Sequence, residues 1–272
     1  MNSLTSAAPV LLPLAYLLLV LTYGLLFFRG EGGASRIARP LLWGTILLHL
    51  AYLAAITVRW EQFPGANVPQ ALSVVALAVS IVYALVEAIS GERRTGAWLM
   101  LLAFLFQLSS SLATGPQPRP VEVFQHPLFA LHIFMALLGY AAFVVAGGYG
   151  FLFLELYREL KRGRFRLFFG RLPSLEVLDR LMSGALLVGF VALSSAIAAG
   201  LAWGLELDTT RWLSDTSVWV TLGTWVLYAT TLILRRLGKW QGRHTAVACL
   251  VGLGTIVLSL MAYNFLFPTF HG

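Results

Sequence analysis

A chain of 272 residues in which 58% of side chains are hydrophobic and only 11% are charged lies far from an average soluble domain, where about a quarter of residues carry charge. Its formal net charge of +7 could point to nucleic acid, but all 19 Lys and Arg residues lie in or beside connections between apolar stretches. The cost of a cation in hydrocarbon requires that placement, so the charge reports topology and argues against a nucleic-acid partner.

Most of the chain falls into apolar runs of roughly 18 to 25 residues, the length that crosses a bilayer core about 30 Å thick. These runs lack the two-residue alternation of a barrel strand, and backbone groups in lipid must be satisfied within the segment. The expected fold is therefore all-α: a polytopic membrane helical bundle of about eight transmembrane helices, forming a single integral membrane domain over 1–272.

In chain order the apolar runs predict helices over 8–28, 41–58, 71–90, 97–115, 128–157, 183–204, 217–234 and 245–267. The first follows MNSLTSAAP, has no basic n-region and is long enough to span, so it reads as an uncleaved helix rather than a signal peptide. Alternate connections then carry Arg29, Arg36 and Arg39; Arg93 and Arg94; Arg158, Lys161, Arg162, Arg164, Arg166, Arg171 and Arg180; and Arg235, Arg236, Lys239 and Arg243. The opposite connections hold only Arg59, Arg119 and Arg211. The positive-inside rule places the first set in the cytoplasm and both termini outside it. The expected location is a bacterial cytoplasmic (inner) membrane, with the lipid bilayer itself as a partner. The one cysteine, Cys249, excludes an intramolecular disulfide framework and a CxxC pair.

Chemistry can live on five histidines, since neutral imidazole is the usual protein ligand for haem iron or a first-row metal. His132 lies about one turn inside the outer end of the fifth helix and His271 just past the outer end of the eighth, so the two could meet at one outer-leaflet site. Helices distant in sequence can supply two facing nitrogens in a bundle; two interfacial polar residues need no iron at all. His49 sits in the middle of the second helix, where an ionisable group is expensive and so is either functional or an interhelical hydrogen-bonding residue. His126 belongs to the outer loop PQPRPVEVFQHP, as a third ligand or as solvated polarity, and His244 to a basic surface turn.

Trp203, Trp212, Trp219 and Trp225 fall in one neighbourhood. An interfacial aromatic belt produces such enrichment, but Trp203 and Trp212 flank GLELDTTRWLSD, a short, partly apolar loop suited to lying on the membrane surface, where a flat amphipathic cofactor would stack. Glu87 and Glu155 stand near cytoplasmic helix ends, where pairing with arginines is expected. Gly147, Gly148 and Gly150 suit close helix packing. No Walker loop, HExxH, GxSxG or dinucleotide fingerprint occurs, which disfavours an ATPase, protease or dehydrogenase. A small-solute transporter would need His49, Gln107, Ser109, Ser110 and Ser111 to line one continuous path.

Five segments, taken in order, carry a family resemblance: LLHLAYLAAITVRW with His49; HPLFALHIFMALLGYAAFVVAGGYGFLFLE with His132; LPSLEVLDRLMSGALLVGF; GLAWGLELDTTRWLSD; and TWVLYATTLILRRLGKWQGRHTA running on to YNFLFPTFHG. Over about 40–272 the chain resembles the cytochrome c assembly protein family, haem-handling membrane proteins that include CcsA, CcmC and shorter HemX-like and YpjD-like relatives. The resemblance implies an outward-facing haem site with a tryptophan-rich platform and two outer histidines as axial ligands. His132 falls at the first of these. His271 falls near the second, in Phe270-His271-Gly272 where the family has a Leu-His-Ser-Tyr type sequence. The platform matches through Trp203, Gly204, Trp212 and Asp215, without the fuller Trp-Gly-x-x-Trp-x-Trp-Asp pattern. The family's membrane histidine in a Leu-His-x-Arg context has no counterpart among Leu232, Ile233, Leu234 and Arg235.

The implied cofactor is haem, with His132 and His271 on the iron and His49, Trp203, Trp212 and Asp215 completing the site. The implied role is a haem chaperone or assembly factor rather than a complete haem lyase, with other cytochrome c assembly proteins or an apocytochrome as partners. The HemX-like and YpjD-like relatives imply the alternative, a non-haem accessory or regulatory membrane protein on the same fold.

Overall fold

The computed structural model describes residues 2–30, 32–60, 67–113, 126–163, 167–206 and 216–265. Among the described residues every expected apolar run is helical and there is no strand. The elements are α1 (Asn2–Arg29), α2 (Gly33–Trp60), α3 (Val68–Ser90), α4 (Gly96–Leu112), α5 (Pro127–Lys161), α6 (Leu175–Glu206), α7 (Thr216–Arg236) and α8 (Arg243–Phe265). Six of these contain a stretch long and apolar enough to cross a bilayer, whereas α4 and the Arg243–Leu258 part of α8 are apolar but shorter. Rows of large apolar side chains stand exposed, among them Leu14, Leu18, Leu21 and Leu25 on α1 and Leu187, Val188 and Val191 on α6. Water would penalise such rows; lipid does not. The chain is a polytopic helical membrane protein.

Helix ends follow local chemistry more than hydropathy. Before α3, Asn67 accepts a hydrogen bond from the Gln70 N–H at 2.9 Å, and Pro69 follows in the first turn, so donors the helix leaves open are capped or absent. At the other end Gly91 takes φ 69°, the left-handed conformation that terminates a helix cheaply. The sixth helix begins at Leu175 rather than 183, because Glu176, Asp179 and Arg180 depress hydropathy without opposing helix formation. Arg180 pairs with Glu176 at 3.1 Å, one turn apart, while Leu178 and Met182 are buried on the same segment.

The chain divides into two compact units, 1–126 with 155–174 and 127–154 with 175–272. In the first, α1 packs on α2 and α4, and α3 on α2 and α4, around buried Leu12, Tyr16, Leu19, Tyr23, Tyr83 and Met100. Toward the basic ends of these helices the buried Glu87 accepts a hydrogen bond from Tyr23 Oη and pairs with Arg39 Nε and Arg93 Nε, each at 3.2 Å. Two guanidiniums and a hydroxyl offset the desolvation of the carboxylate. Glu155 likewise pairs with Arg158.

In the second unit, α6, α7 and α8 contact one another, and Arg235 of α7 grips Asp179 of α6 through two bonds of 2.8 and 2.5 Å. The α5 backbone comes close to α6 at Gly139, where an added Cβ would lie 3.1 Å from Leu193 N, and to α8 at Gly147 and Gly150, where it would lie 2.8 Å from Leu253 Cδ2 and 3.0 Å from Ala246 O. Small residues thus let the helices approach as membrane packing requires.

Candidate functional site

The first turns of α5 and the last turns of α6 build the site, within the second unit. His126 has an extended backbone (φ −71°, ψ 129°), as a residue preceding proline must, and Pro127 opens the helix. His132 follows about a turn and a half later, with Phe129 three residues earlier on the same helical face. The His132 Nδ1 lies 2.8 Å from the carbonyl oxygen of Ala196 on α6. A carbonyl only accepts, so Nδ1 carries the proton and donates. The Ala196 oxygen has a second lone pair besides the one its own helix uses, which makes this bond available without breaking α6.

Fixing the Nδ1 proton leaves Nε2 as the lone-pair nitrogen of the neutral ring, the state in which imidazole ligates a metal. Among the described residues Nε2 has no hydrogen-bond partner. The ring fits because residue 200 is glycine: a Cβ there would lie 2.6 Å from His132 Nδ1 and 2.8 Å from its Cε1. One turn further along α6 stands Trp203. Its ring meets Phe129 at 4.8 Å between centroids, and Phe129 meets the His132 ring at 6.5 Å. Two helices therefore present one wall, in which the His132 imidazole lies beside Phe129 and Phe129 lies against Trp203.

Of the expected site residues, the structure brings His132 and Trp203 into this wall. Trp212, Asp215 and His271 lie outside the described residues. Trp225 instead donates from Nε1 to Ser194 Oγ at 2.8 Å and stacks on Phe190, and Trp219 is exposed as a belt residue would be. Among the described residues no group of three or more His, Cys, Asp or Glu could hold a metal ion. Sequence reasoning missed Phe129, Ala196 and Gly200. Phe129 had a signal in its three-residue spacing from His132, and Gly200 in its three-residue spacing from Trp203.

His49 belongs to the first unit and is fully buried. Its Nδ1 lies 2.9 Å from Tyr16 Oη and its Nε2 2.9 Å from Ser73 Oγ. Ser73 Oγ donates to Gln107 Oε1 at 2.9 Å, and Gln107 Nε2 donates to Ser111 Oγ at 3.2 Å. Because the Ser73 proton is committed to Gln107, His49 Nε2 donates to Ser73 and Nδ1 accepts from Tyr16. Both ring nitrogens are thus taken, which is the interhelical hydrogen-bond alternative for this histidine. The groups that a solute path would need, His49, Gln107 and Ser111, satisfy one another, and Ser109 stands exposed.

The model of a family described as cytochrome C assembly protein matches residues 41–271. Curated relatives named cytochrome c biogenesis protein CcsA include one from Pyropia yezoensis, 24% identical over 90% of this chain and 89% of its own length. One from Prochlorococcus marinus (strain MIT 9303) is 26% identical over 93% and 89%. One from Parasynechococcus marenigrum (strain WH8102) is 27% identical over 93% and 91%. No solved structure matches the chain.

Proposed function

The chain belongs to the cytochrome c assembly protein family, and on that premise we propose that it is a haem-handling protein of the bacterial cytoplasmic membrane, holding haem as cargo at the outer leaflet. His132 supplies one axial nitrogen and His271 the other. Trp203, with Trp212 and Asp215, forms the platform, and Phe129 extends its aromatic surface. His49 is assigned to the hydrogen-bonded network of the first unit rather than to the ligand set. Haem is a flat, apolar ring with a charged edge, suited to the boundary between hydrocarbon and headgroups. The chain's residues bind and orient it without doing covalent chemistry, so the role is a chaperone or assembly factor with other assembly proteins or an apocytochrome as partners.

The single observation that carries this reading is the state of His132. A histidine whose Nδ1–H is tied to a backbone carbonyl, with no partner for Nε2 among the described residues and Phe129 between it and Trp203, has the supporting bond that metal-binding histidines use. The fully buried His49, by contrast, has both ring nitrogens in hydrogen bonds.

The test is purification in mild detergent from haem-replete cells, followed by reduced-minus-oxidised and pyridine haemochrome spectra. Stoichiometric haem that is lost in His132→Ala, with membrane insertion intact, is the expected result. A folded protein that stays colourless through a haem titration removes the haem reading and leaves the accessory or regulatory role on the same fold.

A further inference from the structure

We propose that Gly200 is a positioning residue for His132: by ceding its side-chain space to the imidazole it holds the ring against α6 and fixes which nitrogen faces outward. The consequence for iron rests on the haem reading; the positioning itself does not. A Cβ at residue 200 would lie 2.6 Å from Nδ1, 2.8 Å from Cε1 and 3.4 Å from Cγ of His132. Three ring atoms therefore crowd the position, and a rotation that relieves one contact moves the Nδ1–H off the Ala196 carbonyl, 2.8 Å away. Once that bond is broken, no described group holds the proton on Nδ1, and the tautomer with the proton on Nε2 becomes accessible. A proton on Nε2 occupies the lone pair a metal needs.

The choice of acceptor also sets how the ligand behaves. A neutral carbonyl fixes orientation but pulls less electron density into the ring than a carboxylate partner would. An imidazole held by a carbonyl is a moderate donor, the strength suited to cargo that must be handed on. Gly200 thereby couples the packing of α6 to the strength and lability of the iron bond. Close helix contact alone would account for a glycine here without any effect on the tautomer, which makes the tautomer the deciding observable.

The experiment is 15N NMR of the full-length protein in detergent with labelled histidine, recorded without haem. His132 is assigned by the signal that disappears in His132→Asn. Wild type is expected to show a protonated Nδ1 and an unprotonated Nε2, and Gly200→Ala to lose that pattern. Gly184→Ala on the same helix, where an added Cβ meets nothing within 4 Å, should keep it. Loaded with haem, Gly200→Ala should retain it about tenfold less well, the usual scale for removing a supporting bond, and shift its midpoint potential.

A wild-type His132 protonated on Nε2, or an unchanged tautomer in Gly200→Ala, overturns the proposal. A wild-type His132 protonated on Nε2 overturns it even where Gly200→Ala fails to fold, and in that case a partial loss of the Nδ1–H pattern in Gly200→Ser is the result expected. The expected tautomers in a protein that never takes up haem leave the positioning in place and sink the haem reading alone.

Discussion

Replacing His49 by phenylalanine leaves Tyr16 Oη and Ser73 Oγ each one partner short in a fully buried region. Tyr16 keeps a contact with Ser80 Oγ at 3.3 Å and Ser73 keeps Gln107, so neither hydroxyl is orphaned outright. Buried groups left short cost about 1 to 3 kcal/mol in soluble proteins, while interhelical bonds in membranes average nearer 0.6 kcal/mol. The expected loss is about 1 to 2 kcal/mol, read as a lower unfolding temperature in detergent, with haem per folded protein unchanged. Loss of haem at unchanged stability would return His49 to the ligand set. His132→Ala should do the reverse, removing haem at little cost in stability, because it gives up one bond to a carbonyl that α6 already satisfies.

At the scale of elements, α8 offers an internal comparison. A Cβ at Gly252 would lie 2.1 Å from Tyr228 Oη and 2.3 Å from its Cζ, whereas at Gly254 it meets nothing within 4 Å. The Tyr228 ring cannot easily yield, being fully buried and stacked on Phe143 at 3.8 Å. Gly252→Ala should therefore destabilise by about 1 to 3 kcal/mol, the cost of overpacking. Gly254→Ala should be neutral or stabilise by about 0.5 to 1 kcal/mol through helix propensity. Thermal unfolding of the two variants separates these outcomes, and equal behaviour would contradict the α7–α8 packing.

The eight helices themselves were legible because hydropathy reports the one condition a spanning segment must meet. Their ends were less so: the first two turns of α6 carry charges that lipid excludes but a helix at the interface tolerates. The site was legible in part for the same reason. Depth singled out His132, and aromatic clustering singled out Trp203. Nothing in a single chain says that residue 132 faces residues 196 and 200, since that contact depends on which faces of α5 and α6 meet.

For the whole molecule, the haem reading stands or falls with orientation. The Pro127 end of α5 is an outer end only if the connections rich in Lys and Arg stay in the cytoplasm, and the bias in their distribution, with three exceptions among 19, is what the positive-inside rule weighs. Because Cys249 is the only cysteine and is buried, a Cys249→Ala background allows single reporters to be placed. Ser3→Cys near the N-terminus should react with a membrane-impermeant maleimide on intact spheroplasts. Gln241→Cys, exposed in the basic connection before α8, should react only after permeabilisation. The opposite pattern would put His132 and Trp203 at the cytoplasmic face and would overturn an outer-leaflet haem site. Equal labelling of Ser3→Cys and Gln241→Cys on intact spheroplasts would imply an even number of crossings between the two positions, and the shorter α4 would be the helix to examine first.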